Sequence, residues 1–185
     1  LNILILNGHP DSDATHFDRD LAALSTNLEN RRHTVRILTL RELEARYCTG
    51  CWGCWVRTPG LCIFEDDSHT VCREAINSDL VLFSSPLIMG YLSALLKKFM
   101  DKMIPLIHPY ITVVQGEAHH RLRYDKGDYP LGALLLEKTP GTDAEDIEIV
   151  EAIHNRTMLN LRSRNVFTKL TDTPVEEVAN AIDRL

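Results

Sequence analysis

Four of the five cysteines fall at Cys48, Cys51, Cys54 and Cys62, a C-x2-C-x2-C-x7-C array within the stretch CTGCWGCWVRTPGLC. Thiolates at this spacing can wrap one compact centre, three binding from one side while the loop returns a fourth. Four-thiolate ligation suits an iron–sulfur cluster. Structural zinc also accepts four cysteines, more often from two separated C-x-x-C knuckles. Spacing alone leaves two further options open: a disulfide, or a packed loop of reduced thiols interleaved with Trp52 and Trp55. Cys72 lies on an expected helix face and reads as a small buried residue.

Other groups carry weaker signals. His119 and His120 lie beside Glu117 in the segment QGEAHHRLRYDKGDY, and adjacent histidines in a polar loop read as solvated. HHRLRYDK is the only locally basic run; Arg121, Arg123 and Tyr124 there read as a surface loop, with a nicotinamide phosphate or a partner as the functional alternative. Two further segments follow apolar runs. NGHPDSDATHF places Ser12 and Thr15 just before an expected helix, where hydroxyls and free N–H groups can bind an anion or merely cap a turn. PLIMGY brackets apolar residues with proline and glycine, offering backbone N–H groups beside a flat apolar surface that suits a planar heteroaromatic ring. Neither segment contains GxGxxG or GxxxxGK[ST], so a dinucleotide fingerprint and a P-loop are both excluded.

Composition narrows the classes. With 20 Lys and Arg against 26 Asp and Glu, the net charge is −6, which argues against nucleic-acid binding. No apolar run approaches the roughly 20 residues that span a bilayer, and no signal peptide is visible before LNILILNGHP. An odd, clustered set of cysteines fits a reduced cytoplasm.

The elements that must position these groups alternate. Apolar runs at NILILN, TVRILTL, DLVLFSS, LGALLLE and NVFTKL read as five buried strands. Helical periods separate them: Phe17 to about Arg31, the segment EDDSHTVCREAINS, and a helix burying Leu92, Leu95, Leu96, Phe99 and Met103. A long helix then carries Ile147, Val150, Ile153 and Leu161 as its stripe, with His154 at the edge, and TPVEEVANAIDRL closes the chain. Pro86 is expected to stop the third strand. Such alternation implies right-handed βαβ units in a three-layer α/β sandwich, one domain over residues 1–185. The misfit YITVV belongs to an insertion before the fourth strong strand. In a sheet of this kind ligands sit at the carboxyl ends of the first and third strands, which the two loops above leave.

Together ILNGHPDSDATHF, SSPLIMGYLSALLKKFMDK and the cysteine stretch with its trailing EDD resemble the flavodoxin-like flavoproteins. The branch is that of NAD(P)H-dependent FMN reductases, quinone reductases and iron–sulfur flavoproteins. SSPLIMGYLSALLKKFMDK is similar to that family's PxYxxxxSxxLKxxxDR pattern, with Ile88 at the aromatic position and Lys102 at its end. His9, Thr15 and Phe17 stand as in the quinone-reductase loop, whereas His16 and Asp18 replace its usual Ser and Asn. The resemblance implies a flavodoxin-like five-stranded parallel sheet of order 2-1-3-4-5. It implies FMN, with phosphate held by His9, Ser12, Thr15, His16 and Phe17, and the ring against Pro86, Leu87, Ile88, Met89 and Gly90. A third contact is expected from EKTPGT. It implies a [4Fe–4S] cluster on Cys48, Cys51, Cys54 and Cys62 beside the flavin, with empty thiols the rival.

NAD(P)H or a ferredoxin would be the electron source, and a quinone, flavin or other small-molecule carrier the acceptor. The family forms homodimers or homotetramers that complete the flavin pocket, and YITVV and the tryptophans are candidate contacts. An oxidoreductase is the leading expectation and no side chain is nominated as catalytic. A non-enzymatic iron–sulfur electron carrier is the alternative, and a fold that has lost its cofactor is the third.

Overall fold

The computed structural model describes residues 1–125 and 129–185. Five parallel strands form the central sheet: β1 (Asn2–Asn7), β2 (Thr34–Thr39), β3 (Leu80–Ile88), β7 (Leu131–Glu137) and β8 (Asn165–Leu170), ordered β2-β1-β3-β7-β8. This is the expected order 2-1-3-4-5. Continuous apolar runs made these strands because both sheet faces are covered. Ile3, Ile5, Leu80, Leu82, Ala133 and Leu135 bury one face beneath α1 (Thr15–Asn30) and α6 (Val175–Ile182). Leu4, Leu6, Val81, Phe83, Leu134 and Leu136 bury the other beneath α3 (Ser68–Ile76), α4 (Ala94–Asp101) and α5 (Ala144–Asn160). A short α2 (Gly53–Val56) lies within the cysteine stretch.

Three expectations need correction. Pro86 does not end β3, which runs on to Ile88 and folds back through a hairpin onto β4 (Tyr91–Leu92). β1 has already stopped, its last residue Asn7 pairing Ser84, so a residue lacking an N–H is tolerated where pairing on one flank has ceased. Leu92 therefore belongs to a strand and not to the helix after it. The insertion is also regular: β5 (Ile107–Val114) and β6 (Glu117–Leu122) pair as an antiparallel ribbon. A ribbon with only part of one face covered shows no clean period. Finally, α5 buries Val150, His154 and Met158, while Ile153 is exposed. These three recur every four residues, placing His154 at the centre of the stripe.

Candidate functional site

The carboxyl ends of β1, β3 and β7 share one edge of the sheet. Asn7 pairs Ser84, and Pro86 pairs Glu137, so β3 projects four residues, about 13 Å, beyond the end of β1. The β1–α1 loop is stiffened from within. Asn7 Oδ1 accepts the His9 N–H at 3.0 Å, and Asn7 Nδ2 donates to Asp18 at 2.6 Å. Arg41 pairs with the same Asp18 carboxylate and reaches the His9 carbonyl at 3.4 Å. Burial pushes the Asp18 carboxyl up, but the hydrogen bonds from Arg41 and Asn7 outweigh it and hold it below the usual range. Gly8 is required here: a Cβ would stand 2.6 Å from Leu96 Cβ and 3.0 Å from the Ser84 carbonyl.

The loop ends at a helix start that no side chain caps. His9 Nδ1 accepts the Asp11 N–H at 3.2 Å, which assigns its proton to Nε2. That nitrogen faces Glu137 Oε2 at 3.3 Å, and His16 Nε2 lies 2.5 Å from Glu137 Oε1. Two imidazoles thus converge upon one carboxylate beside a helix start that no side chain caps, an anion position already occupied by an internal anion. Ser12, Thr15 and His16 are exposed around it. Phe17 is fully buried in the α1 face of the core, so only its backbone is available to a ligand.

Across the same edge, the β3–β4 hairpin turns at Met89 (φ 52°) and Gly90 (φ 74°). Both residues need the left-handed region, a two-residue turn that strongly favours glycine at both positions. Pro86 and Leu87 are buried, whereas Ile88 is 42% and Met89 99% exposed. A wholly exposed methionine in a strained conformation, next to an exposed isoleucine, forms an uncovered apolar tip. The loop from Lys138 to Asp143 abuts it: Thr139 Oγ1 donates to the Leu87 carbonyl.

Ser93 fastens the two loops together. It is fully buried; its Oγ donates to the Gly8 carbonyl and accepts the Leu96 N–H at 3.1 Å, capping α4, while its N–H donates to Ser85 Oγ at 2.9 Å. Its position in the helix-leading motif was visible in the sequence; its bond to Gly8, 85 residues away, was not.

The cysteines gather elsewhere. Cys48, Cys51, Cys54 and Cys62 line one cavity of about 60 Å³, closed by Ile63, Phe64, Lys102, Ile104 and Pro105. All five cysteines are free. Among the described residues no group of three or more His, Cys, Asp or Glu side chains is placed to hold a single metal ion. A zinc ion would need all four sulfurs at about 2.3 Å from one point; these thiols surround a shared space instead.

Ser93 and Lys102 stand at opposite ends of α4, about 14 Å apart at 1.5 Å per residue. The β1–α1 loop thus lies at the Ser93 end of α4, and the thiol cavity at the Lys102 end. It is braced by the insertion: Trp55 Nε1 donates to the Ile107 carbonyl at 2.9 Å, and Arg123 Nε to the Pro105 carbonyl at 2.7 Å. Trp55 stacks on Trp52 with centroids 4.6 Å apart. Arg123 is thus committed to backbone rather than to a ligand. His119 is buried, and not solvated as expected; its Nδ1 lies 3.2 Å from Asn160 Oδ1.

Electrostatics within the cavity are uneven. Burial, then the neighbouring sulfurs of Cys62 and Cys48, raise the Cys54 thiol, while hydrogen bonds from the Gly53 backbone and Thr49 lower that of Cys51. Lys102, which the sequence showed only as the end of a motif, has a partner there that the sequence did not reveal. Its side chain is 1% exposed, with Nζ 2.8 Å from Asp66 Oδ2 and 3.3 Å from Cys62 Sγ. Burial would push the Asp66 carboxyl up, but hydrogen bonds from Lys102 and Ser68 bring it down to about 2. Beneath them Cys72, its thiol pushed by burial up to about 12, donates to the Lys102 carbonyl at 3.3 Å.

Residues 1–105 match the sequence family described as having a flavodoxin-like fold. The chain belongs to that family. An iron–sulfur flavoprotein of Archaeoglobus fulgidus is 33% identical over 88 residues, 48% of this chain and 39% of that protein. An iron–sulfur flavoprotein of Methanocaldococcus jannaschii is 25% identical over 116 residues, 63% of this chain and 57% of that one. The chain thus spans about half the length of the curated relatives it matches. Among solved structures, an NAD(P)H:quinone oxidoreductase from Methanothermobacter marburgensis superposes with a TM-score of 0.63 at 19% identity, covering 99% of this chain and 94% of that one. An FMN-dependent NADH-azoreductase from Bacillus anthracis, in complex with FMN, gives 0.62 at 14%, covering 100% and 99%. At these identities the likeness establishes the fold. No helix among the described residues is long and apolar enough to cross a membrane.

Proposed function

We propose that this flavodoxin-like chain is an FMN-dependent oxidoreductase. In this reading it takes electrons from NAD(P)H, or from a ferredoxin, and passes them to a quinone, another flavin or a second small carrier. The observation that carries the reading is the paired arrangement at one sheet edge. Two histidines converge upon a carboxylate beside an uncapped helix start, and an uncovered apolar hairpin tip stands at the same sheet edge. That combination suits a ligand with an anionic tail and a flat apolar ring.

When bound, FMN supplies the hydride and electron chemistry. The chain's part is to bind and orient. His9 Nε2–H, His16, the hydroxyls of Ser12 and Thr15 and the first N–H groups of α1, Phe17 included, would receive the phosphate as Glu137 gives up the imidazoles. Ile88 and Met89 would offer the ring an apolar shelf, and backbone N–H groups between Leu87 and Gly90 would be the donors for its polar rim; Pro86 and Leu87 support that backbone from the core. Exposed Tyr110, Ile111 and Val113 on the β5–β6 ribbon suit a contact with a second copy of the chain, as a homodimer or homotetramer would need.

Purified protein is expected to quench FMN fluorescence at stoichiometric ratio, and the visible flavin band of the complex to bleach on anaerobic addition of NADH or NADPH. A chain that takes up no FMN overturns this reading.

The thiol cavity favours a second component: a [4Fe–4S] cluster on Cys48, Cys51, Cys54 and Cys62. What supports it is that all four cysteines line one cavity, and four thiolates suit an iron–sulfur cluster. Iron and acid-labile sulfide retained after anaerobic reconstitution support it; stoichiometric zinc in their place refutes it. With a cluster but no turnover of NAD(P)H with a quinone acceptor, the chain is an electron carrier.

A further inference from the structure

We propose that Lys102 is a positioning and tuning residue for the four-thiol cavity, its buried ammonium holding Cys62 Sγ by a hydrogen bond and favouring the more negative redox state of whatever the thiolates bind. The inference rests on reading that cavity as a cluster site, and goes beyond it by assigning a role to a residue that is not a ligand.

The geometry carries the argument. A lysine is rarely buried without a partner, and this one is buried with its ammonium in hydrogen-bond contact with a cysteine of the array. Its position is over-determined: Asp66 takes one N–H at 2.8 Å, Cys62 another at 3.3 Å, and the Phe64 ring lies 5.4 Å from Nζ. Asp66 is itself held, its carboxylate accepting the Ser68 N–H at 3.1 Å and the Arg46 N–H at 3.0 Å. The ion pair is neutral overall, so what the cavity feels is a fixed dipole with its positive end on the Cys62 sulfur. Low solvent exposure keeps that dipole from being screened.

Four thiolates around a cluster make a net negative assembly, and its reduction adds one electron from an external donor without adding a proton. Hydrogen bonds to ligating sulfur and nearby charge are recognised levers on such a potential. The ammonium stabilises the added charge, so Lys102 raises the potential, and Asp66 restrains the effect.

The two members of the pair therefore act with opposite sign, which distinguishes tuning from simple structural support. The full chain, reconstituted anaerobically with iron and sulfide, is to be titrated against redox mediators with the visible absorbance and the EPR signal of the reduced form as readouts. Lys102→Met should lower the midpoint, by about tenfold in the reduction equilibrium or about 59 mV for one electron. Asp66→Asn should raise it, and the double variant should fall between the two while staying below wild type, because Cys62 has lost its donor.

Either single variant leaves a buried charge without its partner; should one fail to fold, the other and the double variant decide the sign. Shifts of both single variants in the same direction, or none in a loaded chain, overturn the proposal while leaving the cluster reading intact. A wild-type chain that retains no iron overturns both.

Discussion

Protonation of His154 is the perturbation for which the structure gives the clearest magnitude. The imidazole lies on α5, 1% exposed, edge-on to Phe83 at 4.9 Å, and neither ring nitrogen has a hydrogen-bond partner among the described residues. Burial lowers its pKa to about 4, against roughly 6.5 in an unfolded chain. The sign follows directly. Between those values the unfolded chain binds a proton that the folded one refuses, so stability is lost as pH falls from about 6.5 to about 4. At about 1.36 kcal/mol per pKa unit the full loss is about 3 kcal/mol, of which about 2 kcal/mol falls between pH 7 and pH 5.

His154→Leu removes the titrating group together with two unsatisfied polar atoms. It should therefore be more stable than wild type at pH 7, by about 1–3 kcal/mol, and the advantage should widen on acidification. Urea denaturation of both proteins at pH 7, 6 and 5 measures this, and the difference between them cancels the other histidines. A gap that stays constant or narrows toward pH 5 refutes the reasoning.

Other consequences are open to simpler tests. Glu137→Gln should tighten FMN binding by about tenfold, since it removes a negative charge beside the phosphate position; unchanged or weaker fluorescence quenching refutes that placement. Ser93→Ala should cost about 1–3 kcal/mol in denaturant unfolding, because it uncaps α4 and leaves the Gly8 carbonyl without its donor. The same variant should weaken FMN binding, because the phosphate loop loses its tie to the hairpin. Gly132→Ala should destabilise by about 1–3 kcal/mol, since a Cβ there stands 2.7 Å from Sδ of Met158, itself buried; a wild-type denaturation midpoint would show that Met158 can yield.

What could be read in the sequence is what repeats locally. Runs such as NILILN and LGALLLE fixed their strands because a sheet covered on both faces needs apolar residues at every position, and that signal survives without any partner in view. Pro86 misled because its effect depends on where β1 ends, a property of a different strand. His154 misled for a related reason: as a polar residue it breaks a hydrophobic stripe, although its spacing from Val150 and Met158 was four residues each way. The period was present; the chemistry of one member hid it.

The candidate site divides in the same manner. The loops from His9 to Phe17 and from Pro86 to Gly90 were legible as neighbours, since a parallel sheet of this order brings the ends of its first and third strands together. Glu137 was not, because nothing local marks the last residue of a strand as the partner of two histidines more than 120 residues earlier. Lys102 and Asp66 lie 36 positions apart on different elements, and each is unremarkable alone. Their pairing matters because it is buried: removing either charge strands the other with little access to water, at a cost of about 3–5 kcal/mol. A chain needing only to fill that space would be better served by apolar residues, which pack there without desolvating two charges. Stability alone is thus a poor reason for an ammonium beside Cys62, and a cavity lined by four thiols supplies a better one.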